Sequence, residues 1–397
     1  MPGPLDGIRI LDLSAVVSGP LAASLLADQG AQVLKIEPPG RGDVLRWVGS
    51  ARGGMSATFH LNNRGKRSLA LDLSKARGLA ILERLVRDAD VLIQNFRPGV
   101  ALRLGFGWER LHALNPRLVL LSISGFGGVG PSAQKRVYDN VIQACSGMSD
   151  AQRDPRTGEP QPLRQLLCDK LTALTAAQAV GAALFARERQ GVGQHVELSM
   201  LDAAIGFLWP DAAEEHAFVG EGVEKRPSPG SGYSLLRVRD GWATATPLTD
   251  SEFQGLCRAF GLAEVAADPR FATVAARMRN VAALAALFQG EIARAAAGMS
   301  RRELSDALDA EDVPAGVVVR IGELHEDPQV VANGTFVLRD HPRAGRLREA
   351  RPAARFGSTP ESVGSAAPDL GQHTDEVLTE LGLADEIAAL RAEGVVA

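Results

Sequence analysis

Five short apolar runs within the first 124 residues, spaced by turns and helix-length segments, constrain the fold more than any other feature. They are Ile8–Leu13 (IRILDL), Gln32–Ile36 (QVLKI), Ser68–Leu73 (SLALDL), Asp90–Phe96 (DVLIQNF) and Leu118–Ser124 (LVLLSIS). Runs this short and this apolar read as strands covered on both faces. Helical stretches fall between them. Gly19-Pro20 opens LAASLLADQG, which Gly30 closes, and a second helix is expected from about Lys75 to Asp88. Strands alternating with helices predict an α/β fold with an open, mostly parallel, Rossmann-like sheet, whose ligands sit beyond the carboxyl ends of the strands.

The texture changes after Met200. The stretch EGVEKRPSPGSG (Glu221–Gly232) is rich in Pro, Gly and charge and reads as a loop or linker. Two strand-like runs follow around Arg239-Asp240-Gly241, then alanine-rich helices to about Ala310, then VPAGVVV. The expected organisation is a large domain over 1–205, a linker over 206–225 and a smaller α+β domain over 226–330. A return linker and C-terminal helices that pack back on the large domain would occupy 331–397, with an irregular part first and helices around Asp375–Leu381 and Asp385–Ala392.

A net charge of −4 gives no excess of cations to balance nucleic-acid phosphates, so nucleic acid is not an expected partner. No apolar run reaches membrane-spanning length, and the opening MPGPLDGIRILDLS does not read as a signal peptide. Cys145, Cys168 and Cys257 lack CxxC spacing and fit a reducing compartment, and the expected location is cytoplasmic. The seven histidines show no HxxxH or HxH spacing, so no metal site is expected. No GxSxG elbow and no GxGxxG fingerprint is present, which disfavours a serine hydrolase and a nicotinamide enzyme.

Basic residues gather in the loops between sheet elements: Arg41 and Arg46, Arg64 with Lys66 and Arg67, Arg97, Arg103, and Lys135 with Arg136. Converging at one rim, they would grip a phosphorylated ligand; the alternative is solvated surface charge. GFGGVGP (Gly125–Pro131) would let backbone approach a ligand. Asp169, in LLCDKLTALTAA, heads a long helix with small residues along one face. It is either a helix-end carboxylate interacting with the helix dipole or a partly desolvated nucleophile.

Taken in order, RILDLS, VLKIEPPGRGD, NNRGKRSLALDL, DVLIQNFRPG, RLGFGWERLHALNPRLVLLSISGFG, YDNVIQACSG, CDKLTALTAAQAVGAALFARERQGVGQHVELSMLDA, DPRF, HEDPQVV and LGQHTDEVLTELGL resemble the class III CoA-transferases, the group that includes formyl-CoA transferase and α-methylacyl-CoA racemase. The resemblance covers nearly the whole chain. It implies that Asp169 is the nucleophile, passing through acyl-aspartyl anhydride and aspartyl-CoA thioester intermediates. It implies Val16 and Leu71 along the CoA channel, Asn95 and Phe96 near adenine, Arg103 and Arg136 on CoA phosphates, with Arg41 and Arg97 as further basic candidates. Tyr138 matches a tyrosine beside the thioester, and Gly230 and Gly232 match a glycine loop that closes over it. No tightly bound cofactor is implied; acyl-CoA and a carboxylic acid are the expected substrates, and an interlocked, ring-shaped homodimer the expected assembly. Where racemases carry His-Asp the chain has Tyr138-Asp139, which favours transfer over the alternative of racemisation or epimerisation; a non-catalytic CoA-ester-binding protein is the other rival. Ala15 and Val17 stand where the oxalate enzyme has His and Gln, so a less polar acid or a larger acyl group is expected.

Overall fold

The computed structural model describes every residue except Met1, Pro155, 225–229, 231–232 and 362–363. The chain divides into two units, Met1–Pro210 with Ala332–Ala397, and Asp211–Val331. The first is built on six parallel strands: β1 (Arg9–Asp12), β2 (Gln32–Glu37), β3 (Lys66–Ala70), β4 (Val91–Gln94), β5 (Val119–Ser124) and β6 (His195–Ser199). Their order is β3-β2-β1-β4-β5-β6, every neighbour parallel. The winding direction reverses between β1 and β4, which opens a crevice at their carboxyl ends.

Two strands depart from the sequence reading. β3 begins at Lys66 rather than Ser68, in register with Val33. Its first two residues looked like loop because they are charged, yet Lys66 has a buried partner. β6 was not expected, because His195 and Glu197 interrupt its apolar character; it lies at the sheet edge, with only β5 beside it.

Side chains alternate across the sheet. Ile10, Val33, Val91, Ile93, Val119, Leu121 and Ile123 form one core with α1 (Ser18–Ala27). Leu11, Ile36, Leu92 and Leu120 form the other with α2 (Ala76–Arg87) and the C-terminal helices. α3 (Asp139–Cys145) and α4 (Leu167–Gln190) complete the first layer. α4 ends at Gly191, whose left-handed φ of 79° no β-carbon obstructs and whose N–H caps the Arg187 carbonyl at 2.7 Å. α1 packs along α4 through Ala22, Ala23 and Ala27 against Ala173, Ala176 and Ala183. At Gly19 a β-carbon would come within 2.3 Å of Ser14, so only glycine lets α1 start there.

The chain returns to this unit after Val331. The hairpin Phe336–His341 with Gly345–Ala350 replaces the irregular segment expected there; its outward arginines hide the strand alternation. It is pinned by a buried His60 Nε2–Glu349 contact of 2.7 Å. The helices α5 (Thr374–Glu380) and α6 (Ile387–Ala392) then close the second core.

The second unit carries a three-stranded antiparallel sheet, Ala315–Val317, Gly241–Ala245 and Leu236–Val238, with helices packed through Phe253, Leu256, Ile292 and Leu304. Thr249–Glu252 and Ser300–Glu303 are capping boxes that fix two of its helix starts. The helix Met200–Ala212 runs through the first residues of the stretch read as a linker. Among the described residues no helix is long and apolar enough to cross a membrane, and no group of three or more His, Cys, Asp or Glu side chains is placed to hold a metal ion.

Candidate active site

Asp169 lies in the first turn of α4 and is 7 % exposed. Leu166 precedes the helix and has no side-chain oxygen to cap it. Asp139, from α3, does so instead: its Oδ1 accepts the Asp169 N–H at 2.8 Å. The Ser18 amide, at the start of α1, is turned toward the Asp169 carboxylate and stabilises its charge. Burial acts the other way and is the larger influence. Together with the Asp139 charge it pushes the Asp169 pKa up to about 7. No cation is ion-paired with Asp169 among the described residues. Lys170 is exposed and takes no part in setting this pKa. The adjacent Cys168 thiol is pushed up to about 12 by burial, then by Asp139 and Asp169, and is therefore held protonated.

The turn that delivers Ser18 is strained and braced. Val16 has φ 70°, a left-handed conformation that a β-branched residue adopts only when its surroundings impose it. Those surroundings are visible. Asn95, at the end of β4, accepts the Ala15 N–H at 2.9 Å and donates to the Ala15 carbonyl at 2.7 Å. The Asp43 carboxylate accepts the Val16 N–H at 3.2 Å. Beneath the turn, Lys35 Nζ donates to the Ser14 carbonyl at 2.9 Å and pairs with Asp43 at 3.1 Å. Lys66, 1 % exposed, donates to Asp12 and Asn63, each at 2.8 Å, and to the Pro20 carbonyl at 2.8 Å. Burial brings the Lys66 pKa down to about 8 despite Asp12. Glu37 completes the cluster by accepting Arg46 Nη2 at 2.6 Å and Ser68 Oγ at 3.0 Å. Charged residues thus close β1 and β2 at Asp12 and Glu37 and open β3 at Lys66, where apolar packing would have left the turn free.

This network corrects the reading of the basic residues as one rim cluster. Lys66, Arg46, Arg64 and Arg67 are bound to Asp12, Glu37, Asp28 and Glu380, respectively. Arg41, Arg97, Arg103, Lys135 and Arg136 are exposed and form no ion pair among the described residues. Each follows the carboxyl end of a strand, Arg41 after β2, Arg97 and Arg103 after β4, Lys135 and Arg136 after β5. A cleft of about 550 Å³ opens beside Phe96 and Arg97, floored by Gln94, Ser122 and His195. A larger cavity of about 720 Å³, lined by Arg9, Gln32 and Arg67, lies at the amino ends of the strands, away from Asp169.

The sequence matches CoA-transferase family III over residues 5–374. The chain belongs to this family. It is 34 % identical to a succinyl-CoA–D-citramalate CoA-transferase of Chloroflexus aurantiacus, over all of this chain and 98 % of that one. It is 34 % identical to a succinate–glutarate CoA-transferase of Agrobacterium fabrum, over 95 % of this chain and 96 % of that one. The crystal structure of a CAIB/BAIF family protein from Brucella suis superposes with a TM-score of 0.82 at 34 % identity, covering 96 % of this chain and 100 % of that one.

In this family III enzyme the expected site residues fare unequally. The structure brings Val16 and Asn95 together through the Ala15 clamp, and it sets Tyr138, exposed, next to Asp139 at the start of α3. Asn95 uses both polar atoms of its amide on the turn, so its side chain is a brace for Ala15. Phe96 packs edge-on against Phe106 at 6.0 Å. Leu71 is fully buried and bridges Val396, so its side chain serves the core. Val17 is likewise buried, with Leu45, Met55 and Phe59. Gly230 is an exposed turn residue of the second unit, and Gly232 lies outside the described residues. Sequence reasoning missed Asp139 as a cap and the buried Asp12–Lys66 support. Neither has a local signature, because their partners are 30 and 54 residues away.

Proposed function

We propose that this enzyme moves CoA from an acyl-CoA thioester to a carboxylic acid through covalent intermediates on Asp169. The observation that carries this is a buried carboxylate facing the Ser18 amide with no cation bound to it among the described residues: charged, it is a nucleophile held in place and not quenched by an ion pair. In the first step a carboxylate oxygen attacks the thioester carbon. The C–S bond breaks and its electron pair leaves on sulfur, giving an acyl-aspartyl anhydride and CoA thiolate. The thiolate attacks the Asp169 carbonyl, the donor acid departs as carboxylate, and Asp169 becomes a CoA thioester. The acceptor carboxylate repeats the sequence in reverse. No net proton moves, and the site must exclude water, which would hydrolyse the anhydride.

Arg97 and Arg103, with Arg41 and Arg136, are among the exposed cations that form no ion pair with the described residues and could meet CoA phosphates, and the cleft beside Phe96 and Arg97 offers room for the nucleotide end. Tyr138 stands beside the reacting thioester. The turn Ala15–Val17 offers no polar side chain to a second carboxylate held close to the first. That supports a larger acyl group than oxalyl, and the names of the two relatives point the same way, to dicarboxylic acids of four or five carbons. Exposed Leu174 and Phe185 on α4, and Phe207 and Trp209 further along, support a homodimer. The test is exchange from succinyl-CoA to a panel of glutarate, citramalate, acetate and oxalate. Transfer to the longer dicarboxylates is the expected result. Deuterium entering the α-carbon of an acyl-CoA without acid exchange would contradict the transferase reading.

A further inference from the structure

Asp139 is 3 % exposed and fixed on both of its oxygens. Oδ1 accepts the Asp169 N–H at 2.8 Å, and Oδ2 accepts Gln143 Nε2 at 2.6 Å. Gln143 is itself buried and ties down the segment that leads into α4. Its Nε2 also donates to the Leu163 and Gln165 carbonyls at 3.2 and 3.1 Å, and its Oε1 accepts the Leu163 N–H at 2.9 Å. Asp139 therefore has no room to swing away from Asp169. The groups that act on the Asp169 carboxylate are Asp139 from α3 and the Ser18 amide from α1; the neighbouring Cys168 thiol lies against Met148 Sδ at 4.0 Å, and Lys170 is exposed. Among the described residues neither aspartate has an ion-pairing partner.

We propose that Asp139 is a positioning residue that aims Asp169 and, by like-charge repulsion, drives its charge onto the CoA sulfur. This rests on Asp169 being the nucleophile. Two carboxylates held together in a poorly solvated site repel each other. When Asp169 attacks the thioester, the C–O bond forms, the C–S bond breaks, and the negative charge departs on sulfur. At the anhydride the charge has moved from Asp169 to the CoA thiolate, and once the thiolate has attacked and the donor acid has departed as carboxylate, the aspartyl-CoA thioester is neutral. That thioester is thus relieved of the repulsion that the free carboxylate bears. A proton on Asp169 gives the same relief, which makes the free enzyme protonate near neutrality. Protonation and formation of the aspartyl-CoA thioester, with the donor carboxylate released, remove the same charge from Asp169. Removing the Asp139 charge should therefore shift both equilibria in the same direction and by a similar factor.

The test uses the full-length enzyme with Asp139→Asn and, as the charge-keeping control, Asp139→Glu. With Asp139→Asn the acid limb of kcat/KM should fall by about one pH unit or more. The covalent enzyme trapped at pH 8.5 should fall by about tenfold for each unit of that fall. Asp139→Glu should keep the limb near its wild-type position. A purely structural role would lower the rate at every pH and leave the limb where it was, which overturns the proposal. A second measurement needs no turnover: the 13C carboxyl signal that Asp169→Asn removes is titrated in the wild-type, Asp139→Asn and Asp139→Glu enzymes. A midpoint that falls in Asp139→Asn and stays in Asp139→Glu supports the proposal, and a wild-type midpoint near pH 4, or one that Asp139→Asn leaves unmoved, overturns it. If Asp169→Asn keeps transferase activity, the nucleophile reading fails instead, so the two failures are distinct.

Discussion

The substitution Asp169→Asn removes the charge and keeps the shape. The side-chain amide oxygen it introduces still accepts the Ser18 amide, and the backbone N–H at this position still reaches Asp139. The wild-type carboxyl is raised from 3.8 to about 7 by burial and by Asp139. An acid whose folded pKa is raised is destabilised when ionised, so the cost is present in full above about pH 7. It is lost as pH falls from there toward the unfolded value. Roughly three pH units at about 1.4 kcal/mol each set the cost at about 4 kcal/mol. We therefore expect Asp169→Asn to stabilise the protein by about 2–4 kcal/mol at pH 8.5, while abolishing transfer. The gain should shrink by about 2 kcal/mol on going to pH 5.5, as the wild-type group takes up its proton. Urea unfolding of both proteins at the two pH values, with far-UV circular dichroism as the probe, measures the difference. Equal stability at pH 8.5, or a gain that does not change with pH, would refute the reasoning.

Three further outcomes follow from the site geometry. Lys66→Met leaves buried Asp12 with the Ser14 N–H and hydroxyl and, as its remaining cation among the described residues, Lys35 at 3.9 Å, and should destabilise the fold by about 3–5 kcal/mol in urea titrations. Asn95→Ala removes both bonds to Ala15; it should cost about 1–3 kcal/mol of stability and lower kcat/KM by more than about tenfold, on the order of what a misaimed Ser18 amide would cost. Arg97→Ala and Arg103→Ala should leave unfolding within about 0.5 kcal/mol of wild type, since neither residue is ion-paired among the described residues, and should raise the KM for acyl-CoA. That rise should weaken with added salt, and an effect independent of ionic strength would remove both residues from phosphate binding.

The strand–helix alternation was legible because the central strands are covered on both faces, so Val91–Gln94 and Val119–Ser124 stand out as apolar runs. β6 was not legible, since an edge strand tolerates His195 and Glu197, and β3 was mistaken at its start because a buried lysine looks like a loop lysine until Asp12 is known to face it. The same ambiguity governed the site. Arg64 and Arg97 occupy similar loop positions in the sequence, and only the fold shows that Asp28 holds the first and that the second is exposed and unpaired among the described residues. Asp169 was visible as a carboxylate at a helix start, but what sets its chemistry is an aspartate and an amide from two other helices. Tertiary contacts of that kind leave no local pattern to read.

Where the acyl group and CoA go during turnover decides most directly whether Asp169 is the nucleophile. The enzyme is mixed with succinyl-CoA without acceptor, quenched, treated with hydroxylamine or borohydride, and digested for mass spectrometry. The expected result is a modified peptide containing Leu167–Lys170, altered at Asp169 and unaltered in Asp169→Asn. Full exchange activity with that peptide unmodified, or activity retained by Asp169→Asn, would contradict the account.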